Sequence, residues 1–479
     1  MLKKLTSKLT SKGFTTNQIF ALIILAAADV FVIAAPYYIK NIVPNLHLYL
    51  GVREDDVAKI TAVIGWVTLA TQLPGGFLAN KFPSRWLLFL AVLSTGLIGF
   101  WFGITVLNQQ SFDKDSLVNT YKAIWGLWGI SSTLIFWTPL WKLVSQQATK
   151  ENQAFAYGIQ GTANGFLGLF FVYVIGVIVT YVWIPATSKS DKTPFAVYSF
   201  LLSAFLVATS FMVLFFVKEK YTKSEEKITV SNLMHKLKTN LISIFKAMKN
   251  WKLWAMSIFV MGAYIFQSVL GYYIINMMEN VYIAPVILVS ILAGLRTYGL
   301  RMLVSGYVGR FADKFKSYVL LLVFALMAGM ACLVVFTILP SFGTNFAQNS
   351  ALKVFFLIIL SICFILGGIV TWTIVTLRFT QISEVHIEKK AYASSIGLIS
   401  FIAFSPDAWF YELAGYVGGI YTPVGATNTS AFGYQLIILI AIAFAFIGLI
   451  AGLIVFLSNR AELKRLGKTD YRWRELQND

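Results

Sequence analysis

Backbone polar groups in hydrocarbon have no water to bond, so a chain of long apolar runs can cross a membrane only as helices or a closed barrel. This chain carries twelve such runs, at about 18–44, 58–79, 87–107, 122–143, 155–184, 195–217, 253–275, 284–308, 318–340, 353–377, 392–418 and 433–457. Each approaches the ~20 residues that a helix needs to cross a bilayer, about twice what a barrel strand needs. Helices are the required choice, because the backbone polar groups of such a run must be satisfied within the segment. The expected fold class is therefore an all-α membrane protein with twelve transmembrane helices. Composition agrees, with 58% hydrophobic and 13% charged residues, because a soluble surface needs ~25% charged residues.

The net charge of +18 raises the question of a nucleic-acid partner. The charges answer it, because they gather between the apolar runs and in the two tails and form no basic groove. With the N-terminus inside, 29 Lys and Arg fall on the inner side and 7 on the outer side. The positive-inside rule then predicts both termini in the cytoplasm of a cell-membrane protein, with the lipid bilayer as partner and no nucleic acid. The basic N-terminus leads into a long apolar run with no small-residue cleavage site, which reads as a first membrane helix. Between spans six and seven, Val230, Leu233, Leu237, Leu241, Phe245 and Met248 recur at helical spacing among lysines. This predicts an amphipathic linker helix on the inner membrane surface.

Two segments repeat half a chain apart. GFLANKFPSRW (Gly76 to Trp86) aligns with GRFADKFKSYV (Gly309 to Val319) at an offset of 233 residues, and ENQAFAYG (Glu151 to Gly158) with EKKAYASS (Glu388 to Ser395) at 237. Near-constant offsets imply two equivalent six-helix halves, a common build among transporters. The expected organisation is an N-terminal bundle over 1–217, a linker over 218–252, a C-terminal bundle over 253–457 and a tail over 458–479.

At these residues the chain resembles the major facilitator superfamily, whose loop after helix two reads roughly G-x-L-A-D-R-x-G-R-K. Gly76, Leu78, Ala79, Asn80, Lys81 and Arg85 occupy matching places, and the second copy contributes Gly309, Asp313 and Lys314. The resemblance implies that these loops gate the cytoplasmic side. The usual acid is Asn80 in the first copy and Asp313 in the second, and Pro83 replaces the usual glycine. FWTPLWK (Phe136 to Lys142), the AFAYGIQGTANGFLG stretch and AAPYYIKN in span one look like the organophosphate:phosphate antiporter group. SPDAWFYELAG in span eleven looks like a related bacterial permease branch. The antiporters' histidine in span five is missing, with Ala163 near its place.

An ionisable side chain at bilayer depth costs at least ~2.5–3.5 kcal/mol and is a functional hypothesis by default. The candidates are Asp29 and Lys40 in span one, Arg296 and Arg301 in span eight, and Asp407 and Glu412 in span eleven. Arg296 lies roughly 20 Å from the inner loop along its helix, too deep to reach water easily. Its planar guanidinium suits a carboxylate or phosphate. Lys40, beside Tyr37, Tyr38 and Asn41, resembles an anion-binding cation of the antiporter group. Asp29, Asp407 and Glu412 are candidates for ion coupling or for salt bridges to these cations; both readings stay open. Tyr264, Gln267 and Gly271 share one helical face that could line a cavity for a polar solute. Trp137 is a cavity candidate or ordinary packing. Tyr272 and Tyr273 read as part of the outer aromatic belt.

The expected function is secondary transport of a small organic anion, such as a phosphorylated or acidic sugar derivative, by alternating access. No P-loop supplies ATP, so an ion or counter-solute gradient would drive it. The alternative is a permease or exporter for a neutral or cationic metabolite or drug, which requires the three acids to occupy Lys40 and Arg296. Histidines 47, 235 and 386 lie far apart without HExxH or a serine elbow, which argues against a membrane enzyme. Cys332 and Cys363 sit in apolar runs outside any CxxC, so neither a disulfide framework nor a metal site is indicated. No cofactor is expected, and a monomer is.

Overall fold

The computed structural model describes residues 14–147, 153–178, 192–219, 242, 249–312, 314–339, 350–378, 381, 384–385 and 392–468. Among these, twelve helical rods and no strands are found. The first six are α1 (Thr16–Ile42), α2 (Glu54–Lys81), α3 (Ser84–Leu107), α4 (114–146), α5 (153–177) and α6 (Thr193–Phe216). The second six are α7 (Trp251–Asn280), α8 (286–312), α9 (Tyr318–Ile338), α10 (Ser350–Leu377), α11 (392–420) and α12 (Ala431–Arg465).

Nine of the rods are long and apolar enough to cross a membrane by themselves. The other three fall short: α4 is interrupted at Ile135 and Phe136 and α11 at Ser405, while in α2 part of the apolar stretch after Lys59 lies outside the residues whose side chains are described. All twelve predicted runs coincide with rods, apart from end shifts. α1 stops at Ile42, because Val43 is extended, and so excludes Pro44. α12 runs several residues past its apolar stretch, to Arg465. The amphipathic linker helix lies outside the described residues except at Ile242 and Lys249.

Each half packs as a bundle: α3 against α6 and α1 against α5 in the first, α7 against α12 and α9 against α10 in the second. The halves meet along α2 against α11 and α5 against α8. At the first seam the backbones touch. A Cβ added to Gly65 would stand 2.2 Å from the Ala408 nitrogen and 2.3 Å from the Asp407 oxygen. Only a residue without a side chain permits that approach, as at small-residue contacts between membrane helices generally.

Four rods carry π-helical turns: Ala34–Tyr38 in α1, Ile130–Leu134 in α4, Gly168–Val174 in α5 and Leu295–Gly299 in α8. In α1 the cause is local, since Pro36 lacks the N–H of a regular turn. Such bulges re-aim side chains and gather at functional sites. Here they carry Tyr37 and Tyr38 in one half and Arg296 in the other. Because each rod reverses direction, the ends of α1, α7 and α11 and the starts of α2, α8 and α12 share one face, called distal here; the start of α1 and the end of α12 lie on the opposite, terminal face.

Candidate functional site

Two cations, one from each half, are buried in the interior. The Lys40 ammonium lies 3.6 Å from the centroid of Tyr411, and the Lys40 residue is 6% exposed. Arg296, 4% exposed, acts electrostatically on the same tyrosine. Among the described residues neither cation has a carboxylate within the 4.0 Å of an ion pair. Arg296 is held by neutral groups. Its Nη2 donates to the Gln267 backbone oxygen at 2.8 Å, and its own backbone oxygen accepts from the Trp372 indole at 2.5 Å. Its Nε has no partner.

Gly271 opens the space. A Cβ there would stand 3.0 Å from Arg296 Nη1 and 3.1 Å from Asn41 Oδ1, and that Asn41 oxygen is buried without a partner. Arg296 and Asn41 therefore meet against Gly271, where α8 and α1 approach α7. Tyr272 and Tyr273, expected in the outer belt, are instead 1% and 2% exposed, with rings 6.5 and 6.3 Å from Tyr411. The hydroxyls of Tyr273 and Tyr298 are buried without partners. The break of α7 at Tyr272 turns this pair inward. Tyr38 packs edge-on against Tyr298 at 6.0 Å across the halves and acts on Arg296.

Asp407 joins the cluster one helical turn before Tyr411, on the same face. Its Oδ2 accepts from the Tyr264 hydroxyl at 2.6 Å, and its charge acts on Lys40. Tyr37 bonds Ser132 at 3.1 Å and Thr68 at 3.2 Å. Gln267 contributes its backbone carbonyl to Arg296, not the side chain that its sequence position suggested. Ten residues spread over both halves thus meet here: Tyr37, Tyr38, Lys40, Asn41, Tyr264, Gln267, Gly271, Arg296, Asp407 and Tyr411.

The other candidates lie elsewhere. Asp29 is 1% exposed, and one of its oxygens accepts from Gln160 at 2.8 Å and Asn164 at 2.7 Å. Arg301 acts on Asp29 from beyond ion-pair distance and lies 5.3 Å from the ring centroid of Trp372, whose indole bonds the Arg296 backbone. Glu412 is exposed and accepts from the Trp66 indole at 3.1 Å, so it pairs with neither central cation. One residue along a helix from Tyr411 turns a side chain by ~100°, out of the interior. Trp137 stacks on Trp141 at 6.4 Å, which is packing within α4.

The distal face is sealed by a polar latch that joins the halves. Glu54, 1% exposed, accepts from Asn276 Nδ2 at 2.7 Å, from the Tyr434 hydroxyl at 2.6 Å and from the Thr429 backbone at 3.0 Å. Asn45 and Asn280 exchange side-chain bonds at 3.1 and 2.9 Å. His47 Nε2 meets Asn428 Oδ1 at 2.5 Å. Burial lowers the His47 pKa from its ordinary value, against smaller opposing effects of Glu54 and Asn428. The sequence signal for Glu54 was weak: an acid in the first turn of a helix is ordinarily a helix-dipole residue.

On the terminal face, the Glu219 carboxylate accepts the Ser84 and Arg85 backbone N–H groups at 2.9 and 3.0 Å and lies 3.8 Å from Lys142. In the second half Glu384 does the same at the start of α9, accepting from Ser317 Oγ at 2.7 Å and from the Tyr318 and Val319 backbones. Ser84 and Ser317 are equivalent in the repeat. Two anions thus cap two equivalent helix starts, as the helix dipole favours. Gly76, Asn80 and Lys81 lie in the last turns of α2 and Gly309 near the end of α8; Lys314 is exposed beyond that end, and Asp313 lies outside the described residues.

A helical membrane protein of two six-helix halves that meet around buried polar residues has the architecture of a membrane transporter. The chain belongs to the Major Facilitator Superfamily, whose family profile matches residues 19–406, and it is a multi-pass membrane transporter. It is 53% identical, over the full length of both chains, to the uncharacterized MG294 homolog of Mycoplasma pneumoniae. It is 22% identical to the inner membrane protein YihN of Escherichia coli, over 85% of this chain and 88% of that one. Among solved structures, the fold matches a bacterial homolog of the human lysosomal transporter Spinster, inward-facing and unoccupied. That match has a TM-score of 0.64 and 11% identity, over 94% of this chain and 98% of the other. It also matches a point mutant of the nucleoside transporter NupG, with a TM-score of 0.62 and 12% identity over 92% and 100%.

Proposed function

We propose that this protein is a secondary active transporter that carries a small organic anion, of the class of acidic or phosphorylated sugar derivatives, by alternating access at the Tyr411 site. The observation that carries this reading is the pair of buried cations, Lys40 and Arg296, that lack a carboxylate within ion-pair distance and come from opposite halves. A buried charge without an opposite partner costs several kcal/mol, and an anion seated between the two would recover that cost. Because each half supplies one cation, anion binding would also draw the halves together, which is what an alternating-access cycle requires of its substrate. Rings and unpartnered hydroxyls around the cations suit a hydroxylated body on the anion.

In this reading the chain sits in the cell membrane as a monomer with both termini cytoplasmic, following the distribution of Lys and Arg. The distal face is then extracellular, and the latched conformation faces inward. The repeat loops at Gly76–Arg85 and Gly309–Lys314 gate the cytoplasmic side. Asp29 is a structural acid held by Gln160 and Asn164, while Asp407 belongs to the transport site.

The test is thermal stabilisation of the purified protein by phosphate, sugar phosphates, sugar acids and neutral sugars. At least one anion is expected to raise the melting temperature of the wild type and to lose that effect in Arg296→Gln. Stabilisation by neutral or cationic compounds alone would remove the assignment.

A further inference from the structure

Of the two acids in α11, Asp407 lies in the Tyr411 site and Glu412 lies outside it. Glu412 is exposed on the same helical face as Tyr416 and Ile420, which are 65% and 58% exposed. The exposed residues of α2 beside it are Trp66, Ala70 and Pro74, again one face. At 1.5 Å per residue, Trp66 stands about 15 Å below Asp56, whose partner Lys114 reaches distal water, and about 22 Å from Lys81 at the terminal end. In a hydrocarbon core of ~30 Å this level is near the midplane, and an outer surface there meets lipid.

The two residues tie the halves together. The Trp66 indole donates to Glu412 Oε2 at 3.1 Å. The helices touch on either side of this bond, at Gly65 against Ala408 and at Gly415 against Asp55 and Ala58, so the bond sits on the lipid rim of a closed seam. Among the described residues no Lys, Arg or His comes within 4.0 Å of the Glu412 carboxyl. On α2, Lys59 is held by Asp55 at 2.8 Å. On α12 the apolar run carries one titratable group, Tyr434, and the latch uses it. Tyr264, Tyr272 and Tyr273 of α7 and Asp407 and Tyr411 of α11 face the interior.

An indole N–H is a neutral donor and cannot balance a carboxylate. A charge in hydrocarbon without a counter-charge is costly enough that the group is ordinarily neutralised instead. We propose that Glu412 is a protonated carboxyl facing lipid near the midplane, and that it is a covalent modification site for membrane-soluble carbodiimides. A neutral acid also suits its place, because α2 and α11 can part and rejoin there without moving a charge through lipid. The inference is independent of which solute the carrier takes.

The chemistry needs the proton. The carboxyl oxygen bonds to the central carbon of the carbodiimide, and the acid proton passes to one nitrogen as a C=N bond becomes single. The acyl group then migrates from oxygen to nitrogen and leaves a stable N-acylurea, with no leaving group and no redox partner. An ionised carboxylate has no proton to give, and hydrocarbon supplies none.

The experiment treats the full chain in liposomes with dicyclohexylcarbodiimide or, separately, with a water-soluble carbodiimide and glycine ethyl ester. Tandem mass spectrometry locates the adducts in wild type, Glu412→Gln and Trp66→Phe, and fragment spectra separate position 412 from Asp407. In the wild type, Glu412 should carry the lipid-soluble adduct and little or none of the water-soluble one. Between pH ~6 and pH ~7 that labelling should change by less than about twofold, whereas a carboxyl in water, ionising near pH ~4.3, would lose about tenfold of its neutral form. Glu412→Gln should lose the adduct at that position. Trp66→Phe removes the indole bond but leaves the carboxyl in lipid, so it should label as the wild type does. Absence of the lipid-soluble adduct at Glu412, a stronger adduct from the water-soluble reagent, a tenfold fall between the two pH values, or loss of labelling in Trp66→Phe would each overturn the proposal.

Discussion

Glu54→Gln is the substitution from which the structure predicts most, because the carboxylate touches donors of the opposite half only while the distal face is closed. Three donors converge on it: Asn276 Nδ2, the Tyr434 hydroxyl and the Thr429 backbone N–H. Hydrogen bonds to a charged group contribute ~1.5–3 kcal/mol each. A glutamine retains one acceptor oxygen, which can keep Asn276. Its NH2 then faces the Thr429 N–H, donor against donor, and the bond from Tyr434 loses its charge assistance. Loss of one such bond and weakening of another amounts to about 3 kcal/mol, or on the order of 100-fold in the ratio of closed to open molecules. The reporter is a pair of spin labels across the latch, at Lys114→Cys on the first half and Val424→Cys on the second, with Cys332 and Cys363 changed to serine. Lys114 has a 58% exposed side chain and Val424 is fully exposed, so the labels themselves disturb little. Pulsed electron resonance should show the short distance of the parent replaced by a longer, distal-open population in Glu54→Gln. A fall in melting temperature with unaltered distances would refute the latch and leave Glu54 as a folding residue.

The same label pair tests the pH dependence of the latch. The closed state holds His47 below its ordinary pKa, so opening takes up a proton. Closure is then fully favoured above the ordinary histidine value of about 6.5 and weakens as pH falls through it. The distal-open fraction should rise on acidification in the parent and stay flat in His47→Gln; equal slopes in the two would remove His47 from the latch. Gly65→Ala places a Cβ 2.2 Å from the Ala408 nitrogen, which pushes α2 and α11 apart. It should cost about 1–3 kcal/mol of stability, the usual range for overpacking, seen as a lowered melting temperature; an unchanged transition would mean that the two backbones do not touch there.

Much of the architecture was legible because it answers to local rules. Each apolar run has to satisfy its own backbone within the bilayer, so Thr16–Ile42, Tyr318–Ile338 and the others could be placed to within a few residues. The Gly76 and Gly309 repeats gave the two halves. Of the site, Lys40, Arg296, Asn41, Asp407 and Tyr264 were legible for a thermodynamic reason: an ionisable or strongly polar group deep in an apolar run needs a partner or a purpose. Their surroundings were not. Tyr272, Tyr273 and Tyr411 resemble interfacial tyrosines in sequence, and Gln267 acts through a carbonyl that every residue has.

By itself, then, the amino-acid order determined the class of solvent, the number of crossings and which charges had to be explained. Only the tertiary structure decided the pairing. It put Asp29 on Gln160 and Asn164, sent Glu412 outward to Trp66, set Asp407 on Tyr264, and made Glu54 the centre of a seal with Asn276 and Tyr434. Residues more than 200 positions apart meet there, and which of them meet depends on the summed packing of twelve helices and on π turns that rotate a side chain by a fraction of a turn. No window of sequence contains that information.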